Sequence, residues 1–174
     1  MRLETERLLL RAMQPDDIPA LVRLWTDPEV TRYMGGPREP AYLEKVFAED
    51  LNNPTPDTYD LWPVIEKASS RLVGHCGLTD KEIEGKPEIE LVYVIAKSAW
   101  GKGYATEIAL ALKQYAQEQM GPDRLVALID PVNAGSEGVA LKVGLHFERE
   151  VTRPGGKVMK LYAVNIGVDV YDRL

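Results

Sequence analysis

The stretch Trp100-Gly101-Lys102-Gly103-Tyr104-Ala105-Thr106-Glu107 follows an apolar run at residues 89–95 and opens a segment of helical periodicity. Over residues 104–120, Ala105, Ile108, Ala109, Leu112, Tyr115 and Ala116 fall on one stripe, and Gly121-Pro122 closes the helix. A strand, a glycine turn and a helix in that order have a definite physical use. The glycines let successive backbone N–H groups turn toward one point, and the first helical turn adds unpaired donors and a partial positive charge. Such a turn suits a pyrophosphate, with Lys102 as a supplementary charge; a glycine turn that merely enters a helix has the same local sequence. Two other phosphate loops do not fit. The Walker loop requires Gly-x-x-x-x-Gly-Lys-Ser/Thr, and the dinucleotide fingerprint needs Gly or Ala where Thr106 stands.

Upstream, Leu8-Leu9-Leu10-Arg11-Ala12 reads as a strand, and Pro15-Asp16-Asp17 starts a helix carrying Ile18, Leu21, Val22 and Trp25 that Asp27-Pro28 ends. Tyr42, Leu43, Val46, Phe47 and Leu51 mark a second helix, and Asn52-Asn53-Pro54-Thr55-Pro56-Asp57 a turn-rich loop. Residues 59–65, 72–78 and 89–95 are apolar or alternating runs between turns, the pattern of an antiparallel meander. Downstream of the long helix, residues 125–129 form a buried strand, 136–143 a short helix, and 147–151 with 158–164 two last strands around Pro154-Gly155-Gly156. The expected fold is α/β (α+β): one mixed, mostly antiparallel sheet of about seven strands with two early and two late helices.

With 174 residues the chain has the length of a single domain, read here as residues 1–174. Hydrophobic residues make up 45% and charged residues 28%, and no apolar run is long enough to span a membrane, so a soluble cytoplasmic protein is expected. Leu8-Leu9-Leu10 is too short for the core of a signal peptide. One cysteine, Cys76, and two histidines, His75 and His146, offer neither a disulfide nor a ready zinc site, so no metal is expected. The net charge of −6 and the lack of a basic cluster argue against direct binding of nucleic acid.

These elements together resemble the GNAT superfamily of acyl-CoA N-acyltransferases, which binds its cofactor through an Arg/Gln-x-x-Gly-x-Gly/Ala loop. Trp100-x-x-Gly103-x-Ala105 matches at the Gly and the Ala, and Trp at the first position looks like the subgroup of ribosomal-protein-alanine N-acetyltransferases. Leu3-x-Thr5-Glu6-Arg7-Leu8-x-Leu10-Arg11 resembles that subgroup's opening, Leu72-Val73-Gly74-His75-Cys76-Gly77-Leu78 its third strand, and Asn133-x-x-Ser136-x-x-Val139-Ala140-x-Lys142-x-Gly144 its late helix. Leu145 departs from a usual Phe, a change of core volume.

The resemblance implies acetyl-CoA as cosubstrate, an amine as acceptor, and a monomer or homodimer. It implies that the backbone of Tyr93, Val94 and Ile95 pairs with the pantetheine arm, and that Gly101, Lys102, Gly103, Tyr104, Ala105 and Thr106 hold the pyrophosphate. Asn133 joins the cofactor-binding set, although an N-cap role explains it as well. Glu90 stands near the family's usual carboxylate base; a solvated strand carboxylate has the same pattern. Ala140 occupies the position of the family's tyrosine acid, which leaves Ser136 to protonate the thiolate. Tyr33, Met34 and Trp62 are expected in the acceptor pocket, though core residues read alike. His75 and Cys76 alternate along a strand and so face opposite ways, which rules the pair out as base and nucleophile. The expected reaction is direct attack by a neutral amine, a protein α-amine more readily than a lysine. The alternatives are a small-molecule amine as acceptor, a non-catalytic acyl-CoA sensor, or a nucleotide-binding enzyme.

Overall fold

The computed structural model describes residues 2–53 and 59–167. Among these residues the strands are β1 (Arg2–Glu4), β2 (Leu8–Arg11), β3 (Leu61–Glu66), β4 (Arg71–Ile83), β5 (Lys86–Ile95), β6 (Arg124–Ile129), β7 (His146–Thr152) and β8 (Val158–Asn165). The helices are α1 (Ile18–Thr26), α2 (Pro40–Leu51), α3 (Tyr104–Tyr115) and α4 (Ala134–Val143). All eight strands form one sheet in the order β1-β2-β3-β4-β5-β6-β8-β7, so the mixed, mostly antiparallel architecture is as expected with one strand more. The added strand, β1, sets Leu3 opposite Leu10, and its three residues are too few to display an alternation. No described helix is long and apolar enough to cross a membrane.

Local chemistry explains most boundaries. Pro15 begins a short turn, and the Asp17 carboxylate accepts the Gln14 N–H and an ion pair from Arg11, which fastens the start of α1 to the end of β2. Asn133 caps α4 by accepting the Ser136 N–H at 3.1 Å, and Gly144 ends that helix in the left-handed region. The hairpin between β4 and β5 runs further than its apolar runs suggest, to Ile83 and from Lys86, because Glu84 and Gly85 both adopt positive φ in a two-residue turn. Its outer half, rich in charge, carried no apolar signal. The regular helix expected over residues 104–120 ends at Tyr115 and continues as a π turn, Ala116–Met120, before Gly121. Positions 54–57 of the expected loop lie outside the described residues.

The two faces of the sheet are covered differently. Leu91 and Ile95 of β5 meet Ile108 and Leu112 of α3 and Ala140 and Val143 of α4 in the main core, where Leu145 is fully buried. On the other face, Leu21, Leu43 and Phe47 of α1 and α2 pack with Leu72. Cys76 belongs to the first face, whereas His75 meets Trp25 and Phe47 on the second. All neighbouring strands are antiparallel except β5 and β6, which run parallel and register at the single pair Glu90 and Val126. Since β4 holds β5 along its whole length up to Ile95, the two parallel strands part beyond that pair and leave a fork in the sheet.

Candidate active site

The fork opens a cleft of about 600 Å³. Its walls are residues 90–95 of β5, residues 127–129 of β6 with Asp130, most of the loop and first turn before and in α3, and Gly135, Ser136 and Val139 of α4. Glu29, Val30, Tyr33 and Met34, from the connection between α1 and α2, line it too. Because α1 and α2 lie on one face of the sheet and α3 and α4 on the other, the cleft passes through the sheet. Ala96 donates its N–H to Val73 of β4, so strand alternation turns the N–H groups of Tyr93 and Ile95 away from β4, into the fork.

The loop at the mouth is built by its glycines. Gly101 and Gly103 stand at φ +75° and +80°, a region that a side chain resists, and Gly103 is the residue that precedes α3. Trp100 braces the loop with its indole N–H, which donates to the Ile95 carbonyl at 2.7 Å. Gly101, Gly103, Tyr104, Ala105 and Thr106 line the cleft, whereas Lys102 does not. The Lys102 ammonium instead lies 3.4 Å from Glu66 and above the Tyr104 ring, so the supplementary charge expected of it is engaged elsewhere. The Tyr104 hydroxyl donates to the same carboxylate at 2.5 Å. Hydrogen bonds from Ser69 and Tyr104 hold the Glu66 carboxyl down to about 2, so it is a fixed anion behind the loop.

Glu90 sits at the crotch of the fork, with 14% of its side chain exposed and Lys81 at 3.5 Å. Ser136 lies across the cleft, where its hydroxyl donates to the Tyr93 hydroxyl at 3.0 Å, and Tyr93 donates to the Ser136 carbonyl at 2.9 Å. Burial is the main cause that pushes the Tyr93 phenol up to about 12, against the Ser136 hydrogen bond. Sequence reading assigned Tyr93 a backbone role alone, because a strand tyrosine on the core face carries no signal of a polar partner 43 residues away. Val94 and Ile95 line the cleft beside it, and Asn133 does so while serving as the α4 cap.

Tyr33 and Met34 reach the cleft, but Trp62 does not. Trp62 is 9% exposed in the main core, and a Cβ on Gly77 would fall 2.9 Å from its ring, so the indole occupies space which that glycine leaves free. Sequence reading missed Glu29 and Val30, one turn before Tyr33, and also Asp130. The Asp130 carboxylate pairs with Lys157 of the β7–β8 hairpin at 2.8 Å, which holds its pKa below the ordinary range, and Lys157 also donates to the Tyr33 carbonyl at 3.4 Å. A polar residue just after an apolar strand was the available signal for Asp130.

The acetyltransferase (GNAT) domain family matches residues 7–146. An uncharacterized N-acetyltransferase, p20, of Bacillus licheniformis is 32% identical over 152 residues, covering 85% of this chain and 83% of that protein. A crystal structure of an acetyltransferase from Agrobacterium tumefaciens is 26% identical and superposes with a TM-score of 0.79 over 95% of this chain and 94% of its own. Two more distant structures share the fold alone. The ribosomal-protein α-N-acetyltransferase RimL is 16% identical, with a TM-score of 0.78 over 97% of this chain and all of its own. Spermidine N-acetyltransferase of Vibrio cholerae is also 16% identical, with a TM-score of 0.75 over 93% and 97%. The family match over most of the length, and a forked sheet with a glycine turn at the head of α3, lead to one assignment: this chain belongs to the GNAT family of acetyltransferases.

Proposed function

We propose that the chain carries acetyl from acetyl-CoA directly to a primary amine at the fork, and that a protein α-amine is the favoured acceptor. The observation that carries this reading is the single pair between β5 and β6, which leaves the N–H groups of Tyr93 and Ile95 free beside the glycine turn. A pantetheine amide completes the missing strand there, and the turn receives the pyrophosphate through residues 101 and 103–106. The thioester then lies near the crotch. The amine nitrogen attacks its carbonyl carbon, the Ile95 N–H stabilises the oxyanion, and Glu90 takes the amine proton through a water.

The leaving sulfur faces the Ser136 and Tyr93 hydroxyls. An ordinary thiol has a pKa near ~8.5, so proton transfer from a phenol at about 12 is uphill by about 5 kcal/mol. Tyr93 therefore gives up no proton: its one hydrogen stays with the Ser136 carbonyl, and the Ser136 hydroxyl turns its own from Tyr93 to the departing sulfur.

Proton chemistry also favours the α-amine. At pH 7 an α-amine is roughly 10% neutral, a lysine only about 0.04%. The cleft offers little to make up that difference, since Glu90 stands beside Lys81 and no histidine is among the described lining residues. A second reading rests on the three carboxylates of the cleft, Glu29, Glu90 and Asp130, which are paired with Lys97, Lys81 and Lys157. A small polyamine would put its own ammonium groups in place of those lysines. Thiol release from acetyl-CoA separates the two on a panel of peptides with free N-termini and blocked lysines, N-blocked peptides with free lysines, and small polyamines. The expected result is a kcat/KM about 100-fold higher for the free N-terminus than for lysine. Activity confined to polyamines would establish the second reading, and no thiol release with any amine would overturn both.

A further inference from the structure

Arg7 lies in the turn between β1 and β2, nearly a hundred residues from the glycine turn, yet its side chain closes on that turn from behind. Its Nη1 donates to the Lys102 carbonyl at 2.8 Å. Its Nε donates to Glu107 Oε2 at 2.7 Å, with Nη2 at 2.6 Å from the same oxygen. The Arg7 backbone N–H reaches Glu107 Oε1 at 2.9 Å, and the Thr5 hydroxyl reaches it at 2.6 Å. The guanidinium also stacks 4.7 Å from the centre of the Tyr104 ring, and its Nη2 is 3.5 Å from where a Cβ on Gly103 would be.

Two consequences follow for an anion at the mouth of the cleft. A peptide group is planar and trans, so its carbonyl and N–H point in opposite directions. With the Lys102 carbonyl held by Arg7, the Gly103 N–H turns away from Arg7 and toward the cleft that Gly103 lines. Glu107 is the second matter. It stands in the first turn of α3, where an uncompensated carboxylate repels a pyrophosphate. Burial raises the Glu107 carboxyl, but the hydrogen bonds of Thr5 and Arg7 and the charge of Arg7 outweigh it, so the group is an anion matched by a cation.

We infer that Arg7 is a positioning residue for the cofactor, locking the Lys102–Gly103 peptide and neutralising Glu107 so that the turn presents N–H groups to the pyrophosphate. This rests on the reading of residues 101 and 103–106 as the pyrophosphate cradle. Arg7 does not itself line the cleft, and its side chain is 44% exposed, so its removal does not hollow the core.

The test uses two donors, acetyl-CoA and S-acetyl-pantetheine, which share the thioester and the arm while the second lacks the pyrophosphate. Wild-type enzyme is expected to favour acetyl-CoA by at least about 100-fold in kcat/KM; equal use of both donors would defeat the cradle reading itself. Arg7→Ala is expected to raise KM for acetyl-CoA about tenfold or more, with kcat and the pantetheine reaction within about twofold of wild type. Equal loss on both donors, or an unchanged KM for acetyl-CoA in a folded variant with wild-type discrimination, would overturn the role of Arg7. Should Arg7→Ala fail to fold, Arg7→Lys, which keeps the charge but not the forked contacts, is read by the same criteria.

Discussion

In the proposed mechanism three side chains at the fork divide the chemistry, and each predicts its own kinetic signature. Glu90→Gln removes the proton acceptor at the crotch and should lower kcat by about 100-fold at neutral pH, leaving KM for acetyl-CoA within about twofold. The deficit should shrink as pH rises, because the amine then deprotonates in solution; a deficit independent of pH would make Glu90 a packing residue. Ser136→Ala and Tyr93→Phe should each lower kcat by about tenfold, and the double variant should lose less than the product, since the two hydroxyls share one hydrogen bond. His75 predicts a stability effect instead. Burial lowers its pKa to about 4, with the Leu61 hydrogen bond and the Asp17 charge opposing, so the folded state excludes a proton that the unfolded chain binds near ~6.5. Stability is therefore full above pH 6.5 and falls as pH drops toward 4, by about 2 kcal/mol at pH 5. Urea melts at pH 7 and pH 5 check this, and a His75→Gln variant should show a much shallower dependence. At this scale the sequence was readable where the backbone dictates the role, as for Gly103 and the Asn133 cap. It misled where a side chain chooses between partners: Lys102 and Trp62 have the right residue types at the right place in the chain, but an ion pair with Glu66 and the space over Gly77 take them elsewhere.

Among the elements, the β4–β5 hairpin and the turn before α3 decide whether the fork is held open in the right place. Gly74 faces the end of β5, where an added Cβ would lie 2.6 Å from the Val94 carbonyl and 2.9 Å from the Ile95 side chain. Gly74→Ala must therefore move β5 where the cofactor arm is expected to pair, and should cost about 1–3 kcal/mol in stability together with a higher KM for acetyl-CoA. Chemical melts and initial rates on the same preparation read both effects. Gly103→Val acts on the other wall. A β-branched residue resists φ +80°, so acetyl-CoA should raise the Tm of wild type and not of this variant. Strand and helix placement was legible from apolar periodicity, while β1 and the outer hairpin were not, because three residues give no period and Asp80-Lys81-Glu82 hide a ladder that continues to Ile83.

For the whole molecule, the proposed site rests on a topological detail that no local pattern encodes. The meander and the late hairpin follow from short connections, but the parallel contact of β5 with β6 joins residues that α3 separates, and it registers only at Glu90 and Val126. The chain's central property, then, is a sheet left incomplete at β5, the edge that the cofactor arm completes in the proposed function. Amide hydrogen exchange with and without acetyl-CoA measures this most directly. The N–H groups of Tyr93 and Ile95 and those of residues 101–106 should exchange more slowly with acetyl-CoA bound, while amides paired with β4, such as Ala96, change little. Protection confined to another surface, or none at a saturating concentration of acetyl-CoA, would contradict the assignment of the fork as the cofactor site.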